Sequence, residues 1–266
     1  MGTIKNGQIE NGQDIPLPLA AQRRRNLPAG AALAWLGAGW RDLCHSPVPS
    51  LLYGAAVFLV SLGIVWGLFR YELDYILLPA LAGFMVVGPI LAIGLYQKSR
   101  DIEAGRAVSL ARMIFVKPDS GGQVWYTGAI LCLLMLVWMR AAVIIYALFF
   151  GLRPFPGLKD VLAMLVSTPE GWAMLLVGTV AGGLFAAFSF AISTFAIPML
   201  LDERVDAFTA MGTSISLVWN NLPVMLAWGA IVLALFLLSV ATGLLGLIIV
   251  FPLLGHATWH SYRAIR

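Results

Sequence analysis

Six long apolar runs fill most of this chain, at residues 50–69, 76–96, 125–150, 172–201, 222–241 and about 244–259, and nearly every charge lies between them. A helix needs ~20 residues to cross ~30 Å of hydrocarbon, and every run but the last is near or above that length. The chain is 60% hydrophobic and 11% charged, against roughly 25% charged for a soluble domain. The expected fold is therefore all-α: a polytopic membrane protein with six transmembrane helices. No stretch outside the runs is long enough to fold alone. Residues 1–28 are polar and punctuated by Pro16, Pro18 and Pro28, which reads as a disordered cytoplasmic tail. Residues 29–266 form one membrane domain.

Orientation follows from the basic residues. With the N-terminus inside, Lys5, Arg23, Arg24, Arg25, Arg41, Lys98, Arg100, Arg106, Arg112, Lys117, Arg204, Arg263 and Arg266 fall on the cytoplasmic side. Only Arg70, Arg153 and Lys159 fall outside. Lys and Arg concentrate in short cytoplasmic loops, so both termini are expected inside. Trp35, Trp40, Trp125, Trp219 and Trp259 would mark the inner headgroup level and Trp172 the outer one.

The segments between the runs suggest a repeat. Leu33, Leu36, Trp40 and Leu43 recur at the spacing of an amphipathic helix, as do Phe208, Met211, Ile215 and Val218. Val108, Ala111 and Phe115 form a weaker version. Each stripe precedes a pair of runs, and the second run of each pair carries a proline: Pro89, Pro198 and Pro252. A proline removes one backbone hydrogen bond, which a membrane tolerates only where neighbours satisfy the freed carbonyl. The pattern implies three kinked hairpins, each preceded by a cytoplasmic amphipathic helix, at about 29–96, 97–201 and 202–266.

Candidate chemistry is sparse. No aspartate or glutamate lies well within a run, which argues against a proton- or sodium-coupled transporter, since such proteins carry ionisable groups inside the bilayer. Arg140 is the exception among cations: it lies in the outer half of the third run, where it either snorkels to headgroups or meets an anion or partner subunit. His256 and His260 share a helical face at a spacing that metal sites use, but no third ligand accompanies them. They read as polar residues of an interfacial helix end. Nucleotide-binding, P-loop, zinc-protease and nucleophile-elbow motifs are missing. Gly178 and Gly182 form a GxxxG suited to close helix approach. Charges of both signs at 98–103 and 202–206 are expected to pair across the bundle.

Gly88-Pro89, Gly94-Leu95-Tyr96, Ser99-Arg100, the exit from Pro198 to Asp202, and residues 251–263 (Phe-Pro-Leu-Leu-Gly-His-Ala-Thr-Trp-His-Ser-Tyr-Arg) are familiar together. They resemble a bacterial family of predicted integral membrane proteins, domain-of-unknown-function family 2189, over roughly residues 30–266. The resemblance implies six spans in the inner membrane of Gram-negative bacteria, and some members carry a cytochrome c oxidase label. Oxidase catalysis needs histidines deep in the spans as haem and copper ligands, whereas this chain has three histidines in total.

The function expected from the residues is thus a non-catalytic accessory, assembly or scaffold component, with an uncoupled small-molecule or lipid carrier as the alternative. No cofactor, metal or nucleic acid is expected. The expected partners are membrane lipids and a protein of the same membrane. Orientation is directly testable in a variant lacking Cys44 and Cys132. Lys159→Cys should react with a membrane-impermeant thiol reagent from the periplasmic side and Arg106→Cys should not; reversed labelling would refute the N-in arrangement.

Overall fold

A computed structural model describes residues 25–151 and 157–266, apart from the side chains of Leu158 and Lys159. The expectations for residues 1–24 and for Arg153 lie outside it. Among the described residues there are helices and no strands. In chain order they are α1 (Ala31–Cys44), α2 (Pro47–Arg70), a 3-10 turn (Asp74–Ile76), α3 (Leu77–Leu91), α4 (Ile93–Glu103) and α5 (Leu110–Ile114). They continue as α6 (Gln123–Phe150), α7 (Leu158–Ser167), α8 (Pro169–Ser193), α9 (Ala196–Asp202), α10 (Ala207–Asn220), α11 (Leu222–Ala241) and α12 (Leu247–Ile265).

Among the described residues, five segments are long and apolar enough to cross a membrane: α2, the turn through α4, α6, α8 with α9, and α11, with mean hydropathies of 2.1 to 2.5. The sixth expected run falls in α12, which is not among them. The reason lies in its second half, where His256, Thr258, His260, Ser261 and Arg263 dilute the apolar pattern. That half is instead among the most enclosed parts of the molecule: His256, Ala257, Trp259, Ser261 and Tyr262 are all buried. α12 packs against α1, α2 and α4, and it is the element around which one end of the bundle assembles.

The two arms of the first expected hairpin do not pack closely on each other. α2 lies on α12, while α3 lies on α6 and α8. Between α2 and α3 runs an apolar cleft of about 720 Å³. Its lining extends from Leu52 and Tyr53 near one end of α2 to Leu68 near the other, ~24 Å apart at the helical rise. The arms of the other two pairs do contact each other, α6 with α8 and α11 with α12.

Near each proline the helix meets a side chain or a close approach from another element. Beyond Pro89, Leu95 N–H turns to the Ala92 carbonyl, and Tyr53 of α2 donates to the freed Leu91 carbonyl at 2.7 Å. Ahead of Pro198, Ser214 of α10 inserts into the ladder. It donates to the Ala191 carbonyl at 2.7 Å and accepts from Phe195 N–H at 3.2 Å. Pro252 cannot donate to the Ile248 carbonyl, and that oxygen lies against Gly54 of α2, with the proline ring beside it.

Several finer expectations shift. α1 buries Ala32, Trp35, Gly39, Asp42 and Leu43, one position away from the expected stripe. Leu33 and Trp40 of that stripe are exposed. Trp35 is not an interface marker but packs edge-on to buried Trp228 at 6.0 Å. Trp259 is also buried and donates to Glu103 at 3.1 Å. Trp40, Trp125, Trp172 and Trp219 are exposed. In the GxxxG pair, Gly182 meets Trp138, while Gly178 faces open space. Helix faces turned to lipid are apolar too, so sequence periodicity alone cannot separate the packed face from the outer one.

Gly54 offers a direct test of the α2–α12 contact. An added methyl would land on the Ile248 carbonyl oxygen, whereas one at Gly63 of the same helix would meet nothing within 4 Å. Gly54→Ala should lower thermal stability in detergent by about 1–3 kcal/mol, the range for overpacking. Gly63→Ala should be neutral or slightly stabilising, since alanine is the better helix former.

Candidate functional site

The buried chemistry gathers where α1, α2, α4 and α12 meet. α4 is short and polar, yet Gln97, Lys98, Ser99 and Asp101 are all buried. Gly255 of α12 permits this closeness, because a side chain there would strike Leu95. Gly39 does the same for α1: a Cβ would lie 2.6 Å from Ala257 N.

At this junction the polar groups form one continuous chain. Lys98 Nζ donates to Ser50 Oγ at 2.7 Å and to the Ser46 carbonyl at 3.0 Å. Ser46 is a non-glycine residue at φ 57° in the sharp turn between α1 and α2. Ser50 Oγ lies 2.9 Å from His256 Nε2, and Ser99 Oγ lies 2.8 Å from His256 Nδ1. At the far end of the chain, His260 Nε2 donates to Asp42 Oδ2 at 2.8 Å.

The proton positions follow from what each group can do. A lysine ammonium only donates, so Ser50 accepts from it and passes its own hydrogen to His256 Nε2. Nε2 must then be bare, which puts the imidazole proton on Nδ1, donating to Ser99. The Ser99 hydroxyl in turn serves Asp42. The imidazole is therefore neutral, held between a cation and an anion. Burial pushes the Asp42 carboxyl up, but the hydrogen bonds from His260 and Ser99 outweigh it and hold the carboxyl below its usual range.

A second set of charges surrounds this core. Asp101 accepts from Gln97 at 3.0 Å and from Arg106 at 2.8 Å, and it pairs with Arg112 at 3.3 Å. Arg100 bridges Asp119 and Asp202 at 2.6 and 3.2 Å. Arg263 joins Asp202 to Glu103. The expected pairing of segments 98–103 and 202–206 is present in the Arg100–Asp202 bridge. Glu203 receives Arg266 and Tyr262. The Arg266 bond, opposed by burial and helped by Tyr262, holds the Glu203 carboxyl below its ordinary range. Arg25 donates to the Ile265 carbonyl at 3.0 Å, and its backbone N–H donates to Asn221.

Of the sequence candidates, His256 and His260 enter this chain and Pro252 shapes the helix that carries them. Pro89 and Pro198 stand at the breaks described above. Arg140 is exposed on α6, with no hydrogen bond or ion pair among the described residues. Asp42 and Ser50 escaped sequence reasoning, and so did the part that Lys98 and Ser99 play beside His256. Ser50 and His256 are 206 positions apart, and no local spacing announces such a meeting. Among the described residues, no group of three or more His, Cys, Asp or Glu side chains could hold a metal ion.

A family described as predicted integral membrane protein (DUF2189) matches residues 77–202. It is the family that the residue pattern resembles, but the match stops short of the 251–263 segment. No curated protein and no solved structure matches the chain.

The chain of bonds makes His256 a keystone. His256→Ala removes a buried ring and orphans the Ser50 and Ser99 hydroxyls, so it should cost about 2–5 kcal/mol. His260→Ala should cost less, because His260 and its partner Asp42 sit nearer solvent. Paired thermal melts in one detergent check the ranking; equal losses would contradict it.

Proposed function

We propose that the protein is a non-catalytic component of the bacterial inner membrane, with both termini in the cytoplasm. On this reading it serves as an accessory, assembly or scaffold subunit beside larger membrane complexes, respiratory oxidases included. The observation that carries the reading is the closure of its polar chemistry. Ser50, Lys98 and His256 are each 0% exposed, and neither the cleft nor the second cavity, of about 440 Å³, is lined by any of them. Groups without an approach for substrate hold helices together more readily than they transform a molecule. The three-unit arrangement belongs to the same proposal, each unit contributing one proline-containing helix.

The cleft between α2 and α3 favours a second reading, a carrier for lipids or other apolar molecules. No charged side chain lines it, and its volume falls within the range of ligand sites. Purification in a mild detergent separates the two, with co-purifying proteins and lipids quantified and an absorption spectrum recorded. The accessory reading expects a membrane protein retained at fixed stoichiometry and no haem band. A lipid at fixed stoichiometry without a protein partner, displaced by Ala80→Trp in the cleft wall, would establish the carrier reading instead. A stoichiometric Soret band that disappears in His256→Ala would overturn both.

A further inference from the structure

Helix α6 is 28 residues long, ~42 Å at the helical rise, and so exceeds the hydrocarbon it has to cross. Its aromatic residues show where the boundaries fall, since tyrosine and tryptophan settle at headgroup level. Trp125 and Tyr126 are exposed near its start and Tyr146 stands near its end. From Tyr126 to Tyr146 is ~30 Å, which matches the hydrocarbon thickness. Arg140 then lies ~9 Å inside the nearer boundary and ~21 Å from the other.

Its surroundings are lipid-facing. Leu133, Leu136, Val137 and Ile144 are exposed on the same part of α6. The helix packs inward through other residues, among them Trp138, which donates to the Pro79 carbonyl and stacks on Phe185. Arginine keeps its charge under all ordinary conditions. Side chains on a helix lean towards its N-terminus, so the Arg140 guanidinium starts out leaning away from the nearer headgroups. The described residues supply no counter-charge, although ionisable groups at such depth characteristically pair.

We infer that Arg140 is the docking point for a transmembrane helix of another protein, one that carries an aspartate or glutamate at matching depth. The inference rests on the accessory reading and names the kind of partner. The planar guanidinium can take a carboxylate through two parallel bonds, and the neighbouring leucine, valine and isoleucine side chains provide the apolar contact around it. A second copy of this chain is a poor fit, because none of its spans holds a carboxylate in its central part.

The full-length protein, free of Cys44 and Cys132 and labelled at Lys117→Cys, is placed in phosphatidylcholine vesicles with a fluorescent Leu/Ala transmembrane peptide. The peptide bears a single aspartate at the depth of Arg140, and an all-apolar version serves as control. Energy transfer should show the aspartate peptide binding about tenfold more tightly than the control. Arg140→Leu should erase that preference, and Arg140→Lys should retain only part of it. Arg140 is exposed, so both variants should melt like the parent. Equal binding of the two peptides, or an aspartate preference that survives in Arg140→Leu, overturns the inference. Equal binding is also the outcome expected if Arg140 serves a lipid headgroup. A co-purifying subunit retained by Arg140→Leu would refute this docking point while leaving the accessory reading intact. An Arg140-dependent aspartate preference with no co-purifying subunit would do the reverse.

Discussion

Hydrocarbon offers no water to a broken helix, so a carbonyl left open where the helix ladder breaks must find a partner inside the protein. Two such breaks, near Pro89 and ahead of Pro198, are met by hydroxyls from other helices, while α12 runs unbroken through Pro252. A tyrosine hydroxyl from α2 caps the Pro89 break, and a serine hydroxyl from α10 threads the break ahead of Pro198. At Pro252 the released carbonyl lies against Gly54, where the missing side chain lets α2 come close. Tyr53 ties α2 to the end of α3 and Gly54 brings it close to α12, while the apolar cleft between α2 and α3 extends from Leu52 to Leu68.

The polar junction is the other side of that arrangement. Bringing α1, α2, α4 and α12 together at glycine contacts encloses one lysine, one aspartate, two serines and a histidine. Such a set is stable only when every member is satisfied, since a partly satisfied buried network is worse than an apolar core. Here the demand is met by a single direction of donation, from Lys98 through Ser50, His256 and Ser99 to Asp42. The surrounding Arg–carboxylate pairs are more exposed, and pairs of that kind contribute little individually. Their arrangement at one end of the bundle instead connects α4, α9, α12 and the segment around Asp119.

The same physics separates the interior from the outer surface. Inside, charge is matched group by group. On the lipid-facing side of α6, Arg140 stands without a match among the described residues, and between α2 and α3 an apolar cleft is left unfilled by protein. Both features look outward to the membrane, whereas the histidine chain looks inward and holds the bundle.

The membrane class and most of the spans were legible in the chain because hydrophobic length and charge exclusion are local properties. Residues 50–69 or 125–150 need no partner to be recognised. The breaks near Pro89 and Pro198 were legible for the same reason, as was the isolation of Arg140 from acidic residues, whereas α12 continues through Pro252. What only the tertiary structure decided was which side of each helix is packed and what meets across the bundle. Trp35 and Trp40 are equally apolar in sequence, yet one lies in the core and the other faces out. His256 and His260 read as polar helix ends, and only the approach of α2 and α4, permitted by Gly54 and Gly255, turned His256 into a buried link. Lipid and protein interior are both apolar, so hydrophobicity cannot distinguish them. The meeting of residues some two hundred positions apart is written in shape and hydrogen bonding, and these exist only once the helices have packed.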